Sequence, residues 1–225
     1  MRVTSFGSGS NGNAFLVQAD STALLIDIGV PIRLLRTGLR TAGVGDGELT
    51  AALITHEHVD HIRAAAQLRR YQPVPYLATE GTMGAIRDCP SADWVRISAS
   101  ASLRVGEIDV TPIAVSHDAA EPVGFVVEHE GVRVALFTDL GETTSDVCSA
   151  LSDAALIVLE SNYDEQMLRV GPYPAHLKRR IRGPRGHLGN AECGELLATQ
   201  MSDRTSDVWL AHLSEKNNRP EIARA

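Results

Sequence analysis

Aromatic residues and cysteines are scarce in this chain. Phe, Trp and Tyr together account for only 4% of its 225 residues, so a hydrophobic core must consist mainly of Ala, Val, Leu and Ile. The three cysteines, Cys89, Cys148 and Cys193, are widely spaced and form no C-x-x-C pair. This arrangement argues against a disulfide scaffold and against a thiolate zinc site. Any metal ion is therefore expected to have nitrogen and oxygen ligands.

Long apolar runs are also missing. No segment approaches the roughly 18 apolar residues of a transmembrane helix, and residues 1–6 lack the apolar stretch of a signal peptide. We therefore expect a cytoplasmic protein that does not enter a membrane. Because no linker rich in Pro, Gly or Ser divides the sequence, residues 1–225 are expected to form a single domain.

Positive charge is in deficit overall but concentrated in one place. The formal net charge of −7 does not suggest a nucleic-acid-binding protein. A local basic cluster can nevertheless hold phosphates, because the field in a groove depends on nearby charges. The alternative is a solvated helix face. The basic segment, residues 178–185, contains Lys178, Arg179, Arg180, Arg182 and Arg185.

The most specific motif groups three imidazoles and a carboxylate in six residues: His56, His58, Asp60 and His61. It follows residues 51–55, an apolar run that predicts a buried strand. Side chains at the end of a strand point into a loop, where they can converge on a divalent cation such as zinc, manganese or iron. The alternative is a chance cluster on a solvated loop.

Similar ligand types follow three other apolar runs: His117, Asp139 and His212. Two cations about 4 Å apart need more ligands than one motif supplies. A carboxylate such as that of Asp139 can bridge two cations. Each of these residues alone is an ordinary strand-end residue, but their shared placement favours one composite metal site.

The pattern of apolar runs and turn residues predicts a mixture of strands and helices. Some strands look buried on both faces, which is typical of two sheets packed face to face with helices outside, an α/β sandwich. Predicted strands are 2–6, 14–18, 23–28, 51–55, 75–78, 108–115, 123–128, 132–137, 155–159 and 207–211. Predicted helices are 31–43, 60–71, 80–87, 143–150, 174–182 and 190–201.

Residues 7–13 form a glycine-rich loop between the first two predicted strands. Gly and Asn tolerate positive φ, so this loop predicts a tight hairpin. The alternative is a phosphate cradle of exposed amides and hydroxyls. In that case Ser8, Ser10 and Asn11 are candidates for holding a terminal phosphate.

The metal motifs resemble those of the metallo-β-lactamase fold, and Asp27 matches the aspartate that supports that site from behind. The resemblance implies a four-layered αββα sandwich with the cations at the edge where the sheets meet. It also implies two divalent ions, Zn²⁺ or Mn²⁺, one held by His56, His58 and His117 and the other by Asp60, His61 and His212, with Asp139 between them.

Longer segments resemble the YycJ/WalJ branch of that fold, among them residues 116–124, 160–162, 167–174 and 211–218. The branch is associated with 5′→3′ exonuclease activity on DNA and a proposed role in mismatch repair, so the resemblance implies DNA 5′ ends and mismatch-repair proteins as partners. Tyr163 stands where many relatives have His, which predicts the loss of a polar contact. Relatives usually continue beyond the last motif, so either this copy is shortened or a last helix and strand are missing from the sequence.

A phosphodiesterase mechanism accounts for these residues. Two cations, with Asp60 among their ligands, lower the pKa of a bridging water toward ~7 and neutralise the phosphoryl oxygens. His187 is our candidate general acid, because imidazole titrates near pH 6.5. Glu160 is expected to orient it, a pairing that resembles the Glu and His pair of ribonuclease Z. The alternative for His187 is a helix-capping or surface histidine.

Two other functions stay open. One is a small-molecule metallo-hydrolase of the same fold that acts on a cyclic phosphodiester, a thioester or a lactam. The basic segment favours the nuclease over a lactam hydrolase, because a neutral lactam has no use for several cations. The other is a non-enzymatic protein with structural metals, although structural sites are usually closed and mononuclear.

Overall fold

Two six-stranded mixed sheets form the centre of the structure, a computed structural model that describes residues 1–86 and 94–225. Strands in each sheet lie side by side in chain order. The first sheet contains β1 (Arg2–Gly7), β2 (Ala14–Ala19), β3 (Thr22–Ile26), β4 (Ala51–Leu53), β5 (Tyr76–Ala78) and β6 (Trp94–Arg96). The second contains β7 (Leu103–Val105), β8 (Ile108–Ala114), β9 (Val123–His129), β10 (Val132–Phe137), β11 (Leu156–Glu160) and β12 (Asp207–Ala211).

Antiparallel and parallel pairing divide each sheet in the same way. The first sheet is antiparallel from β1 to β3 and parallel from β3 to β6. The second is antiparallel from β7 to β10 and parallel from β10 to β12. The carboxyl ends of the parallel strands therefore carry the loops that position the site.

Helices lie outside the two sheets. They are α1 (Ile32–Thr41), α2 (Val59–Ile62), α3 (Ala65–Leu68), α4 (Glu80–Ala85), α5 (Ser145–Leu151), α6 (Glu165–Val170), α7 (Ala175–Ile181), α8 (Asn190–Gln200) and α9 (Pro220–Ala223). None of the helices in the described part of the chain has the length and apolar character needed to cross a membrane.

Alternation along the buried strands produces the layers. In β2, Leu16 packs in an outer apolar layer with Leu35 of α1, whereas Phe15 and Val17 pack between the sheets with Phe125 of β9. In the second sheet, Ile157 and Leu159 of β11 pack outward with residues of α5 and α8. Since successive strand side chains point to opposite faces, a strand buried on both faces needs a continuous apolar run. The predicted αββα sandwich is confirmed.

The predicted helix 60–71 is wrong as a single helix, because α2 ends at Ile62 and α3 begins at Ala65. In a continuous helix the carbonyl of Asp60 would accept the amide of Ala64. Instead Asp60 O accepts from Asn13 N at 2.8 Å, and Ala64 N donates to Ile28 O at 2.9 Å. Two distant loops thus replace the helical hydrogen bonds.

The remaining predicted elements agree with the observed ones to within two residues at each end, although residue 87, the predicted end of helix 80–87, lies outside the described residues. Within the described residues, four short elements were not predicted: β6, β7, α6 and α9. Of these, α6 could have been predicted from the sequence, because aspartate is a favoured N-cap residue. Asp164 caps this helix by accepting a hydrogen bond from Met167 N.

Candidate metal centre and active site

The predicted metal ligands converge at one edge of the two sheets. Their side chains come from the loop after β4, from α2, and from the loops after β8, β10 and β12. All except His58 and Asp60 are buried. They are His56, His58, Asp60, His61, His117, Asp139 and His212.

Among the described residues, four overlapping sets of possible ligand atoms lie at this edge. Two contain Asp139, one with His56 and His61 and one with Glu160, His187 and His212, and the other two separate the remaining predicted ligands into two groups. In the three-histidine group (His56, His58 and His117), ligand atoms lie within 4.8 Å of one another. The same holds for the second group (Asp60, His61 and His212).

Asp139 lies between the groups. Its Oδ2 is 3.0 Å from His61 Nε2, and its Oδ1 is 3.6 Å from His117 Nε2. The arrangement matches the predicted division into two cation sites, which stays a prediction.

Hydrogen bonds fix which ring nitrogen of three histidines faces the cluster. The Nδ1 of His61 donates to Asp27 Oδ2 at 2.7 Å, and the Nδ1 of His117 donates to the carbonyl of Gly186 at 2.9 Å. The Nδ1 of His212 donates to Glu160 Oε1 at 2.7 Å. Each bond leaves Nε2 as the inward nitrogen, as outer carboxylates and carbonyls commonly do for metal-binding histidines.

Two ring nitrogens in the cluster are buried without a hydrogen bond to the described residues. His56 Nε2 and His212 Nε2 make no hydrogen bond within residues 1–86 and 94–225. A buried polar atom without a partner costs on the order of 1–3 kcal/mol. Divalent cations would remove that cost, and imidazole with carboxylate is a donor set they accept. The residues therefore fit the metal ions that the motif predicts.

Three site residues adopt left-handed backbone conformations: Asp27 (φ 61°), Asp139 (φ 55°) and His212 (φ 52°). Such a φ is uncommon outside glycine and costs on the order of 1–3 kcal/mol per residue. Hydrogen bonds hold the backbone at two of these positions. Asp27 N donates to Leu53 O, and His212 N donates to Ser8 Oγ. The turns aim the side chains inward from the strand ends.

Carboxylates hold protons on the second group. Burial alone would lower the pKa of His61, but Asp27 and Asp139 raise it to about 10. Burial opposes protonation of His212 too, and the carboxylates of Asp139, Asp60 and Glu160 raise its pKa well above the ordinary value. By contrast, burial lowers the pKa of His56 well below its usual range. In the metal-free protein, His61 and His212 therefore carry protons that compete with a cation.

We expect metal binding to the metal-free protein to release about two protons at pH 7, because both histidines must be deprotonated to become ligands. Since the raised pKa values keep the protons on at neutral pH, metal affinity should decrease as the pH falls below about 10. Calorimetric titration with Zn²⁺ in buffers of different ionisation enthalpy measures the count. His129→Ala is the control, because His129 pairs with Asp20 away from the cluster. Binding without proton release would contradict this account.

Glu160 connects the predicted acid to the metal cluster. Its buried Oε1 accepts from His187 Nδ1 at 2.9 Å and from His212 Nδ1 at 2.7 Å, and its Oε2 accepts from Leu140 N at 2.7 Å and Leu188 N at 3.2 Å. Burial alone would raise the pKa of Glu160, but the two imidazoles lower it overall. Its charge in turn raises the pKa of His187 despite burial. The geometry therefore joins Glu160 and His187 as predicted, and adds the bond to His212.

The glycine-rich loop forms the predicted hairpin turn and lies against the second group. Gly12 N donates to Gly9 O at 2.9 Å, which closes the turn. Ser8 Oγ accepts from His212 N at 2.8 Å, so this hydroxyl supports a ligand. Asn11 bonds the side chain of Glu215, and Ser10 is exposed. A phosphate role for Ser8, Ser10 and Asn11 stays a prediction.

The basic segment is more neutralised than its sequence suggests. Arg182 pairs with Glu165, and Arg185 donates to the carbonyls of His117 and Ala119. The Lys178 ammonium donates to a backbone carbonyl of α6 at 2.8 Å. Arg180 also pairs with a carboxylate, its Nε donating to Asp118 Oδ2 at 2.5 Å. In the described part of the chain, the side chain of Arg179 forms no hydrogen bond or ion pair.

Sequence reasoning missed three residues that contact the cluster. The Asn13 side-chain amide lies 3.0 Å from His61 Nε2, and the Thr55 hydroxyl lies 3.1 Å from His56 Nδ1. Asp118 Oδ1 is 3.3 Å from His117 Nε2. Their sequence positions could have indicated this contact, because Thr55 and Asp118 adjoin motif histidines and Asn13 ends the glycine-rich loop.

Comparison with known proteins agrees with this geometry. A family model described as the beta-lactamase superfamily domain matches residues 22–211. Exodeoxyribonuclease YycJ of Bacillus anthracis is 35% identical over 96% of this chain and 84% of its own length. The chain belongs to the YycJ/WalJ family of the beta-lactamase superfamily. The predicted resemblance is thereby confirmed, and the protein is a metallo-β-lactamase-fold hydrolase.

Other YycJ/WalJ-family and fold relatives give the same result. Exodeoxyribonuclease WalJ of Streptococcus pneumoniae is 32% identical over 96% of this chain and 82% of its own length. The crystal structure of the metallo-β-lactamase fold protein YhfI from Bacillus subtilis superposes with a TM-score of 0.76 at 17% identity. That superposition covers 99% of this chain and 90% of YhfI. At such low identity the likeness to YhfI shows the fold alone.

Proposed function

We propose that this hydrolase is a metal-dependent 5′→3′ exonuclease that cleaves phosphodiester bonds at DNA ends. The observation that carries the proposal is the shared carboxylate of Glu160, which bonds both His187 and His212. This carboxylate joins a proton donor to the predicted metal cluster. Hydrolysis of a phosphodiester uses both, because the attacking water must be activated and the leaving oxygen must be protonated. The names of the YycJ and WalJ relatives, both exodeoxyribonucleases, support DNA as the substrate.

The residues assign the parts of the reaction. The three-histidine group and the second group, with Asp139 between them, would each hold one cation. When bound, two divalent cations, Zn²⁺ or Mn²⁺, would lower the pKa of the attacking water and offset the charge of the phosphate. Asp60, half-buried beside His61 and His212, would face this water and help orient it.

His187 would protonate the leaving 3′ oxygen. Its Nδ1 is held by Glu160, so its Nε2 is the nitrogen available to a substrate. The half-buried side chain remains accessible, and although burial opposes it, the Glu160 carboxylate raises the pKa of the ring above its usual value, which favours the protonated acid. A positioned general acid of this kind contributes roughly 10²–10⁴-fold to rate.

The basic segment would lead the DNA backbone toward the cluster. Phosphate contacts of this kind give affinity without sequence selectivity and weaken with salt. Mismatch-repair proteins as partners, a cytoplasmic location and the action of residues 1–225 as a single domain remain predictions from the sequence.

Digestion of duplex DNA labelled separately at the 5′ and 3′ ends tests the proposal, with bis(p-nitrophenyl) phosphate and nitrocefin as parallel substrates. We expect mononucleotides to leave the 5′ end in the presence of Mn²⁺ or Zn²⁺, and no reaction with EDTA. Turnover of bis(p-nitrophenyl) phosphate without DNA cleavage would instead assign a small phosphodiester as substrate. Turnover of nitrocefin alone would reject the phosphodiesterase.

A further inference from the structure

A small cavity of about 170 Å³ opens beside His187. Pockets for whole small molecules begin at roughly 300 Å³, so this cavity accommodates only part of a ligand. Its walls differ in chemistry. Tyr173, Leu177 and Ile181 form an apolar side, and Asp118, Arg180 and His187 form a polar side.

The polar side is fixed to the predicted metal cluster. Asp118 Oδ2 accepts from Arg180 Nε at 2.5 Å, while Asp118 Oδ1 lies 3.3 Å from His117 Nε2 and 4.0 Å from His58 Nε2. One carboxylate therefore links Arg180 to the three-histidine group. Among the described residues, no hydrogen bond uses the terminal amino groups of Arg180, so they are available to a phosphate. An arginine held by its Nε in this way is already oriented for such a contact.

The apolar side belongs to a separate apolar cluster. Tyr173 and Leu177 are half-buried over Ile181, Leu168 and Tyr163, apart from the three layers that stabilise the sandwich. An aromatic ring at the edge of such a cavity offers a face on which any nucleobase can stack. The cavity therefore places an apolar surface, which suits a base, next to a positive charge, which suits a phosphate.

We propose that this cavity binds the base of the 5′-terminal nucleotide, stacked on Tyr173, while Arg180 contacts the adjoining phosphate. The inference rests on the proposed exonuclease function. In that reaction the leaving 3′ oxygen belongs to the terminal nucleotide, and His187 is the residue that protonates it. The base attached to the same sugar therefore lies on the His187 side of the phosphate, where the cavity opens.

The test combines an enzyme variant with a substrate variant. Tyr173→Ala, Tyr173→Phe and wild type are assayed on two 5′-labelled duplexes, one with an intact terminal nucleotide and one whose terminal nucleotide is abasic. Because the abasic end loses the stacking energy, we expect kcat/KM of the wild type to be roughly 5- to 100-fold lower on the abasic end than on the intact end. Tyr173→Ala should show that loss on the intact end and little further loss on the abasic end. Tyr173→Phe should behave as wild type.

Controls separate the two proposals. His176→Ala changes an exposed residue three positions from Tyr173, at the start of α7, and should behave as wild type on both duplexes. Hydrolysis of bis(p-nitrophenyl) phosphate by the wild type reports separately on the metal cluster, because this substrate has no DNA end. Failure of the wild type to cleave any DNA would reject the exonuclease.

Cleavage of both duplexes by the wild type at equal rates would overturn the base-binding cavity alone. So would an abasic penalty that Tyr173→Ala retains in full. If Tyr173→Ala does not fold, Tyr173→Leu takes its place, because leucine keeps apolar bulk in the cavity but has no aromatic face; an abasic penalty that Tyr173→Leu retains in full would likewise overturn the proposal.

Discussion

The His187→Ala variant is expected to hold its metal ions and to lose roughly 10²–10⁴-fold in kcat, the range of a general acid. The imidazole is held by Glu160 at 2.9 Å, and its removal deletes the proton donor without deleting a residue of either ligand group. The bond from Glu160 to His212 also remains, so the cluster keeps its support. Rates on end-labelled DNA and metal content by mass spectrometry measure the two effects separately.

The pH profile adds a second readout for His187. Glu160 raises the pKa of His187, so the acid keeps its proton to a higher pH than an ordinary histidine, and the wild-type rate should fall only above that raised pKa. His187→Ala should lack this descending limb. Exposed His176 on α7 provides the matched control, and His176→Ala should leave rate and profile unchanged. A His187→Ala variant with wild-type rates would remove this residue from the mechanism.

The second large effect is expected for Asp139→Asn, which should lose both cations. Asp139 is the residue placed between the two groups, with one oxygen 3.0 Å from His61 Nε2 and the other 3.6 Å from His117 Nε2. Loss of an outer partner of a ligand alone costs roughly 10–100-fold in metal affinity, so loss of a shared charged ligand should cost at least that. Hydrolysis should fall with occupancy.

Asparagine is the informative replacement at this position. It tolerates the left-handed backbone of Asp139 (φ 55°) and keeps the size of the side chain, so the charge is what changes. Asp153 has a similar backbone (φ 61°) and is absent from the cluster, which makes Asp153→Asn the matched control. Calorimetry with Zn²⁺ and Mn²⁺ gives the stoichiometry. Two ions bound to Asp139→Asn with wild-type affinity would contradict a shared ligand.

Sequence periodicity was sufficient for the sandwich, and placement after apolar runs was sufficient to find the side chains that converge at its edge. Continuous apolar runs such as residues 155–159 predict strands buried on both faces, and β11 packs with both the central and the outer layers. His117, Asp139 and His212 were found because each follows such a run. Strand ends at the same edge of two packed sheets lie close together. Residues that each follow a strand in the sequence therefore converge in the structure.

The prediction of one continuous helix over residues 60–71 was wrong because of contacts between residues that are distant in the sequence. The break after Ile62 arises because Asn13 and Ile28 take over hydrogen bonds that a continuous helix would make. Gly29 permits this approach, since a Cβ there would lie 1.5 Å from the carbonyl oxygen of Asp60. Nothing in the local pattern of residues 60–71 reports these partners.

Tyr163 shows a different kind of gap between sequence and structure. The sequence predicted the loss of a polar contact at this position. The structure places its ring in the apolar cluster with Leu168 and Ile181, and burial raises the pKa of the phenol to about 12. This residue therefore supports the helices beside the cavity near His187, a role that its motif position did not indicate.

Anomalous diffraction from crystals grown with Mn²⁺ tests the central claim most directly, namely that this cluster is a dinuclear centre. We predict two peaks about 3.5–4 Å apart, one among His56, His58 and His117 and one among Asp60, His61 and His212, with Asp139 contacting both. A single peak, or peaks outside these two groups, would contradict the account.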